Sequence, residues 1–124
     1  MAKHILIVDD STLMLMSISG ILESGGYTVT KANGGVDALA KLKNSAKPDL
    51  IITDLNMPNM DGLELIKNVR TLAELRFTPI LLLTTESQQT KRDEAKKLGA
   101  SGWISKPVSG EALLKIVKQV LPGA

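Results

Sequence analysis

Four apolar runs in this chain each stop at side chains able to do chemistry. Leu50-Ile51-Ile52 leads to Asp54, and Ile5-Leu6-Ile7-Val8 ends in the pair Asp9-Asp10. Ile80 to Leu83 closes on Thr84-Thr85, and the run at Ile104-Ser105 closes on Lys106-Pro107. A carboxylate can ligate a hard cation or act as a nucleophile. A hydroxyl can donate to an oxygen of an anion, and a lysine can neutralise its charge. Singly, each signal is weak. Asp often caps a turn or a following helix, and on the stretch from Pro48 to Gly62 alone that is the better account of Asp54. Lys106 alone would be a solvated lysine at a strand end. Together they are harder to dismiss, because Pro58, Asn59 and Asp61-Gly62 turn the chain just after Asp54. The carboxylate then sits at the carboxyl end of a strand, where open α/β sheets keep their sites.

The elements that must position these residues alternate strand and helix five times. Strands are expected at Ile5 to Val8, Tyr27 to Lys31, Leu50 to Asp54, Ile80 to Leu83 and Trp103 to Ser105. The first, third and fourth read as strands buried on both faces, and the second alternates enough to be an edge strand. The first helix starts near Ser11 or Thr12, plausible caps, and runs to about Glu23, ended by Ser24-Gly25-Gly26. The second follows Gly34-Gly35, with Val36, Leu39 and Leu42 at helical spacing, and stops before Pro48. The third carries Leu63, Leu65, Ile66 and Val69, and the fifth Leu113, Ile116, Val117 and Val120. The fourth, from about Ser87 to Leu98, has little besides Ala95 and Leu98 to bury. Five such units imply a doubly wound parallel α/β sheet with helices on both faces.

Composition narrows the functional classes. The 124 residues suit one domain, expected to span 1–124 with no output domain. Fifteen basic against thirteen acidic residues leave a net charge of +2, too slight for a nucleic-acid surface, and no helix-turn-helix segment remains unassigned. The absence of cysteine excludes a disulfide framework and thiolate metal sites. The apolar start at Ile5 to Val8 is too short for a signal-peptide core, and no apolar stretch approaches membrane-spanning length. A cytoplasmic monomer is expected, without nucleic-acid or membrane partners.

The ordered set Asp9-Asp10, Asp54, Thr84 and Lys106-Pro107 resembles that of a response-regulator receiver domain, and most closely the single-domain chemotaxis CheY type, over residues 4 to 121. The resemblance implies a flavodoxin-like sheet with strand order 2-1-3-4-5, the order known from CheY itself. With that order Asp9, Asp10 and Asp54 converge. Three ionised carboxylates so close need a cation or bound protons, and oxygen ligands that await a phosphate favour Mg²⁺ over Ca²⁺. An EF-hand loop starting at Asp54 fails, because Asn59 stands where the loop needs glycine.

By resemblance, Asp10 and Asp54 ligate Mg²⁺ directly, Asp9 acts mainly through water, and the Asn56 backbone carbonyl adds a ligand. Asp54 is then the phosphoacceptor, with Lys106 and the Thr84 hydroxyl on the transferring group. Asn56 and Glu86 are expected to tune hydrolysis of the aspartyl phosphate. Trp103, the sole tryptophan, matches the aromatic that swings inward when the family's threonine moves, although a large core aromatic is the commoner role. His4 is read as structural.

The expected partners are a chemotaxis-type histidine kinase, a downstream protein such as the flagellar motor switch, and a phosphatase. The expected output face lies on the fourth helix, fifth strand and fifth helix, where Lys91, Arg92, Lys96, Lys97, Lys115 and Lys118 outnumber the acids. The weakly buried fourth helix is the expected switch. The chain departs from the family pattern in two places. Leu13-Met14-Leu15-Met16 replaces early arginines, so part of that stripe should face water and Leu13 or Leu15 should meet the phosphodonor. Val108 stands where Phe is common, which leaves room for a phosphate-sink role instead of motor output. An aspartyl-phosphate phosphatase would want an acid where Asn56 stands. A flavodoxin-type electron carrier would want flavin-stacking aromatics and a Ser/Thr-rich loop after the first strand.

Overall fold

Strand residues are buried almost throughout the centre of the molecule. A computed structural model describes residues 2–44 and 47–122, and in it β1 (His4–Val8), β3 (Leu50–Thr53) and β4 (Ile80–Thr84) are buried at every position except His4. With β2 (Thr28–Ala32) and β5 (Gly102–Ser105) they form one parallel sheet in the order β2-β1-β3-β4-β5. Runs of Ile, Leu and Val without alternation are what burial on both faces demands. β2, buried only at Ala32, lies at an edge as its alternation predicts.

The period of two along each strand divides the core. Ile5, Ile7, Ile52, Leu81 and Leu83 pack with α1 (Thr12–Ser24) and α5 (Gly110–Val120). Leu6, Val8, Ile51, Ile80 and Leu82 pack instead with α2 (Gly35–Asn44), α3 (Gly62–Arg70) and α4 (Gln89–Leu98). Side-chain caps start three of these helices: Ser11 accepts from the Met14 amide, Asp61 from Glu64 and Ser109 from Ala112. Gly99, at φ 109°, ends α4 in the left-handed conformation. The expected end of α2 before Pro48 falls partly on residues 45 and 46, which lie outside the described residues.

The stripe at the start of α1 divides as its surplus of apolar residues implied. Leu13 is 78 % exposed and Met16 61 %, whereas Leu15 is only 8 % exposed and lies in the core with Ile18 and Leu22. This corrects the expectation for Leu15: helical spacing turns it onto the sheet, so only its neighbours can meet another protein. On α4 only Ala95 is fully buried. His4 is structural as expected, its ring 2.6 Å from the Thr30 hydroxyl and its backbone N–H donating to Asp49.

One structural residue gave no signal in the sequence. At the end of α3 the Arg70 guanidinium donates to the carbonyls of Leu75 (2.8 Å), Thr78 (2.7 Å) and Gly99 (2.7 Å). It thereby ties a short 3₁₀ turn (Ala73–Leu75) and the entry to β4 to the turn after α4. Charge-assisted bonds of this kind are the strong ones, and truncation removes the Arg70 donor from all three carbonyls, of which Leu75 keeps only the Thr78 amide at 3.3 Å. Arg70→Ala is expected to cost about 2–4 kcal/mol of stability, and Arg70→Lys to recover only part because an ammonium cannot reproduce the fork. Denaturant unfolding checks this; a loss below about 0.5 kcal/mol would reject the clasp as a stabilising element.

Candidate functional site

The register of the sheet assembles the acids. β1 pairs with β3 so that Val8 lies opposite Thr53, and the next residue on each strand is the acid. The Asp54 amide donates to the Val8 carbonyl (2.9 Å) and the Asp9 amide to Ala32 (3.2 Å), which holds both residues on the ladder at the carboxyl end of the sheet. Carboxylate oxygens of Asp9, Asp10 and Asp54 all lie within 4.8 Å of one another. Asp9 is buried, Asp54 partly so and Asp10 exposed, so the cluster opens toward solvent on the Asp10 side.

Lysine arrives from the other side. β5 pairs with β4 with Ser105 opposite Thr84, and the Lys106 amide continues that ladder to the Thr84 carbonyl (2.9 Å). The Lys106–Pro107 peptide bond is cis. Nζ of Lys106 lies 3.1 Å from Asp9 Oδ2 and 3.5 Å from Asp54 Oδ2, with all three side chains largely covered. Three carboxylates against one ammonium leave two negative charges uncompensated among the described residues. That deficit, presented by oxygen ligands alone, fits a hard divalent ion such as Mg²⁺.

Two backbone donors that the sequence did not single out orient the acids. The Ser11 amide donates to Asp9 Oδ1 (2.9 Å) and the Leu55 amide to Asp54 Oδ1 (2.7 Å), so the other oxygen of each faces Lys106. Close packing fixes the turn behind them. A Cβ added to Gly62 would stand 2.5 Å from the Asp54 carbonyl oxygen and 2.9 Å from Leu55 Cα, which only glycine permits without moving the backbone. Asp61, by contrast, caps α3 and belongs to the turn.

The remaining predicted residues surround this pocket. Thr84 is fully buried at the end of β4, and its hydroxyl accepts from the Glu86 amide (3.2 Å). Asn56 and Glu86 come together across the β3–α3 and β4–α4 loops, with Asn56 Nδ2 3.5 Å from Glu86 Oε1. Trp103 is not in the carboxylate pocket. It pairs with Leu82, two residues before Thr84, and packs partly buried on the α4 side of the sheet. Thr84 has the same parity on β4 as Leu82, so Thr84 and Trp103 share the face that α4 covers.

Comparison with known proteins agrees with this arrangement. The profile of the response regulator receiver domain matches residues 5–118. The chain is 37 % identical over 120 residues to protein PilH of Pseudomonas aeruginosa, covering 97 % of this chain and 98 % of PilH. It is 38 % identical over 118 residues to chemotaxis protein CheY1 of Helicobacter pylori, covering 94 % and 95 %. The solved structure of Vibrio cholerae chemotaxis protein CheY4 superposes with a TM-score of 0.92 at 44 % identity, over 97 % of this chain and 99 % of that one. Sheet order, residues at the strand ends and these likenesses agree, and the chain belongs to the response regulator receiver domain family, among its CheY-like members.

Proposed function

We propose that the chain accepts a phosphoryl group from the phosphohistidine of a chemotaxis-type histidine kinase onto Asp54, and that the modification changes its affinity for a downstream protein. The observation that carries this reading is the convergence of Asp9, Asp10 and Asp54 with Lys106 bridging two of them. Mg²⁺, held by Asp10, Asp54 and the Asn56 carbonyl with Asp9 acting through water, would neutralise charge on the transferring group. The protein's part is positioning. Leu55 N–H holds Asp54 Oδ1 and leaves Oδ2 aimed into the pocket, where it attacks phosphorus in line as the bond to the imidazole nitrogen breaks. Lys106 exchanges its carboxylate contacts for a phosphoryl oxygen. The Thr84 hydroxyl donates to another as that residue is drawn in, and Trp103 follows on the same face. Asn56 and Glu86, joined across the pocket mouth, govern the entry of hydrolytic water.

On this reading the protein is a phosphoacceptor and not an enzyme acting on other substrates. Asn56 stands where an aspartyl-phosphate phosphatase would place its second acid. No helix among the described residues is long and apolar enough to cross a membrane, in keeping with the cytoplasmic setting such kinases require. The downstream protein is read as the flagellar switch, meeting α4, β5 and α5. A phosphate-sink role is the second reading, favoured by Val108, which is partly buried against the core where the output aromatic is common. Titrating a flagellar-switch peptide against the apo and beryllofluoride-loaded protein tests this. A coupling of about 1–3 kcal/mol is expected of a two-state switch. Equal affinity in both forms, or none in either, would reject motor output.

The exposed start of α1 supplies a separate test. Leu13 and Met16 form an uncharged surface beside the site, suited to apolar positions on the phosphodonor helix. Leu13→Arg is expected to slow transfer from the kinase about tenfold with little change in melting temperature. Leu15→Arg, which buries a charge, should instead lower stability by several kcal/mol, on the order of a core disruption. Stopped-flow transfer rates and thermal melts separate the two, and wild-type transfer by Leu13→Arg would rule out docking through α1.

A further inference from the structure

α4 buries little apolar surface, with Ala95 its one fully buried residue, and Arg92 reaches from it to β5. The Arg92 guanidinium carbon lies 5.5 Å from the centroid of the Trp103 ring. Arg92 is one turn before Ala95, so its stem leans toward the sheet, and no carboxylate pairs with it among the described residues. Both residues line an open groove of about 450 Å³ between α4 and β5. The Trp103 indole nitrogen itself is buried and has no hydrogen-bond partner among the described residues. Two opposed effects therefore act on one side chain: a cation over the ring favours its present position, and an unsatisfied buried N–H disfavours it.

We propose that Arg92 is the positioning residue of the switch: its guanidinium, stacked on Trp103, fastens α4 to β5 and opposes the movement of the indole toward Thr84. The proposal rests on the receiver reading of Asp54, because it concerns how readily the phosphoryl site moves Trp103. Removing a contact made in only one arrangement shifts the equilibrium by the factor that contact contributed.

The test uses Arg92→Ala, Arg92→Gln and Arg92→Lys in the full chain, with beryllofluoride affinity measured calorimetrically in Mg²⁺. Arg92→Ala and Arg92→Gln are expected to bind about two- to fivefold more tightly than wild type, the range a cation–π contact supports, with Arg92→Lys between. In a Trp103→Leu background Arg92→Ala should add nothing, a result that a merely structural role for Arg92 would not produce. Wild-type affinity in both Arg92→Ala and Arg92→Gln, or an undiminished gain in the Trp103→Leu background, would overturn the proposal. The emission and acrylamide quenching of Trp103, the sole tryptophan, are recorded without additives and should move in Arg92→Gln. No movement would show that the contact is not made in solution and would also overturn it. A wild-type protein that takes no beryllofluoride overturns the Asp54 reading instead, and the quenching measurement then still decides the Arg92 contact.

Discussion

Asp54→Asn is expected to abolish phosphoryl incorporation when the protein is incubated with Mg²⁺ and a small phosphodonor, while the wild type gains one group by intact mass. The amide keeps the side chain's shape and can still accept from the Leu55 amide that holds Asp54 Oδ1, so the fold should persist. What it loses is the anionic oxygen facing Lys106, and a neutral amide neither attacks phosphorus nor ligates a hard cation well. The loss should therefore be close to complete, beyond about a hundredfold, in contrast with the smaller effects of residues that only tune the step. Removing one negative charge beside Asp9 also relieves repulsion, so the variant should be no less stable than wild type. Modification of Asp54→Asn at the wild-type rate would place the nucleophile elsewhere.

Asp10→Ala should weaken Mg²⁺ binding at least about tenfold, whereas Asp61→Ala should leave it unchanged. Both acids lie in loops at the carboxyl end of the sheet, so net charge alone predicts similar losses. Geometry separates them. Asp10 offers an oxygen within 4.8 Å of those of Asp9 and Asp54 and is exposed, as a ligand to a partly hydrated ion must be. Asp61 instead accepts from the Glu64 amide (2.9 Å) at the start of α3, and its loss should cost about 1 kcal/mol of stability through the cap. Isothermal titration with Mg²⁺ at constant ionic strength checks both variants. Equal weakening would mean that the cation responds to the general field of the loops and not to the three-carboxylate pocket.

Much of this was legible in the chain because its signals are local. Unbroken apolar runs at Ile5 to Val8, Leu50 to Ile52 and Ile80 to Leu83 require strands covered on both sides, and turn residues just after Asp54 require it to sit at a strand's end. The cap at Ser11 is equally local, since it acts within a few residues. Helix boundaries were less legible: α4 begins at Gln89, after Ser87 and Gln88 amides turn toward the Glu86 carboxylate.

What the sequence could not contain is anything set by register between distant strands or by which way a helix rolls. The order of residue types at the strand ends pointed to Asp9, Asp54 and Lys106, but only the pairing of Val8 with Thr53 and of Thr84 with Ser105 brings Lys106 Nζ to 3.1 Å from Asp9 across 97 residues of chain. The same holds for Leu13 and Leu15, identical in type and two residues apart, where rotation of α1 about its axis sends one to water and the other into the core. Arg70 carries no local signal at all, since its three acceptors are backbone carbonyls that any residue would supply. Arg92 over Trp103 is the same kind of contact, made because α4 crosses β5 at that height. Local physics determined the elements and the candidate chemistry of this protein. Long-range packing, which trades chain entropy for contacts between residues far apart, decided which of those side chains meet.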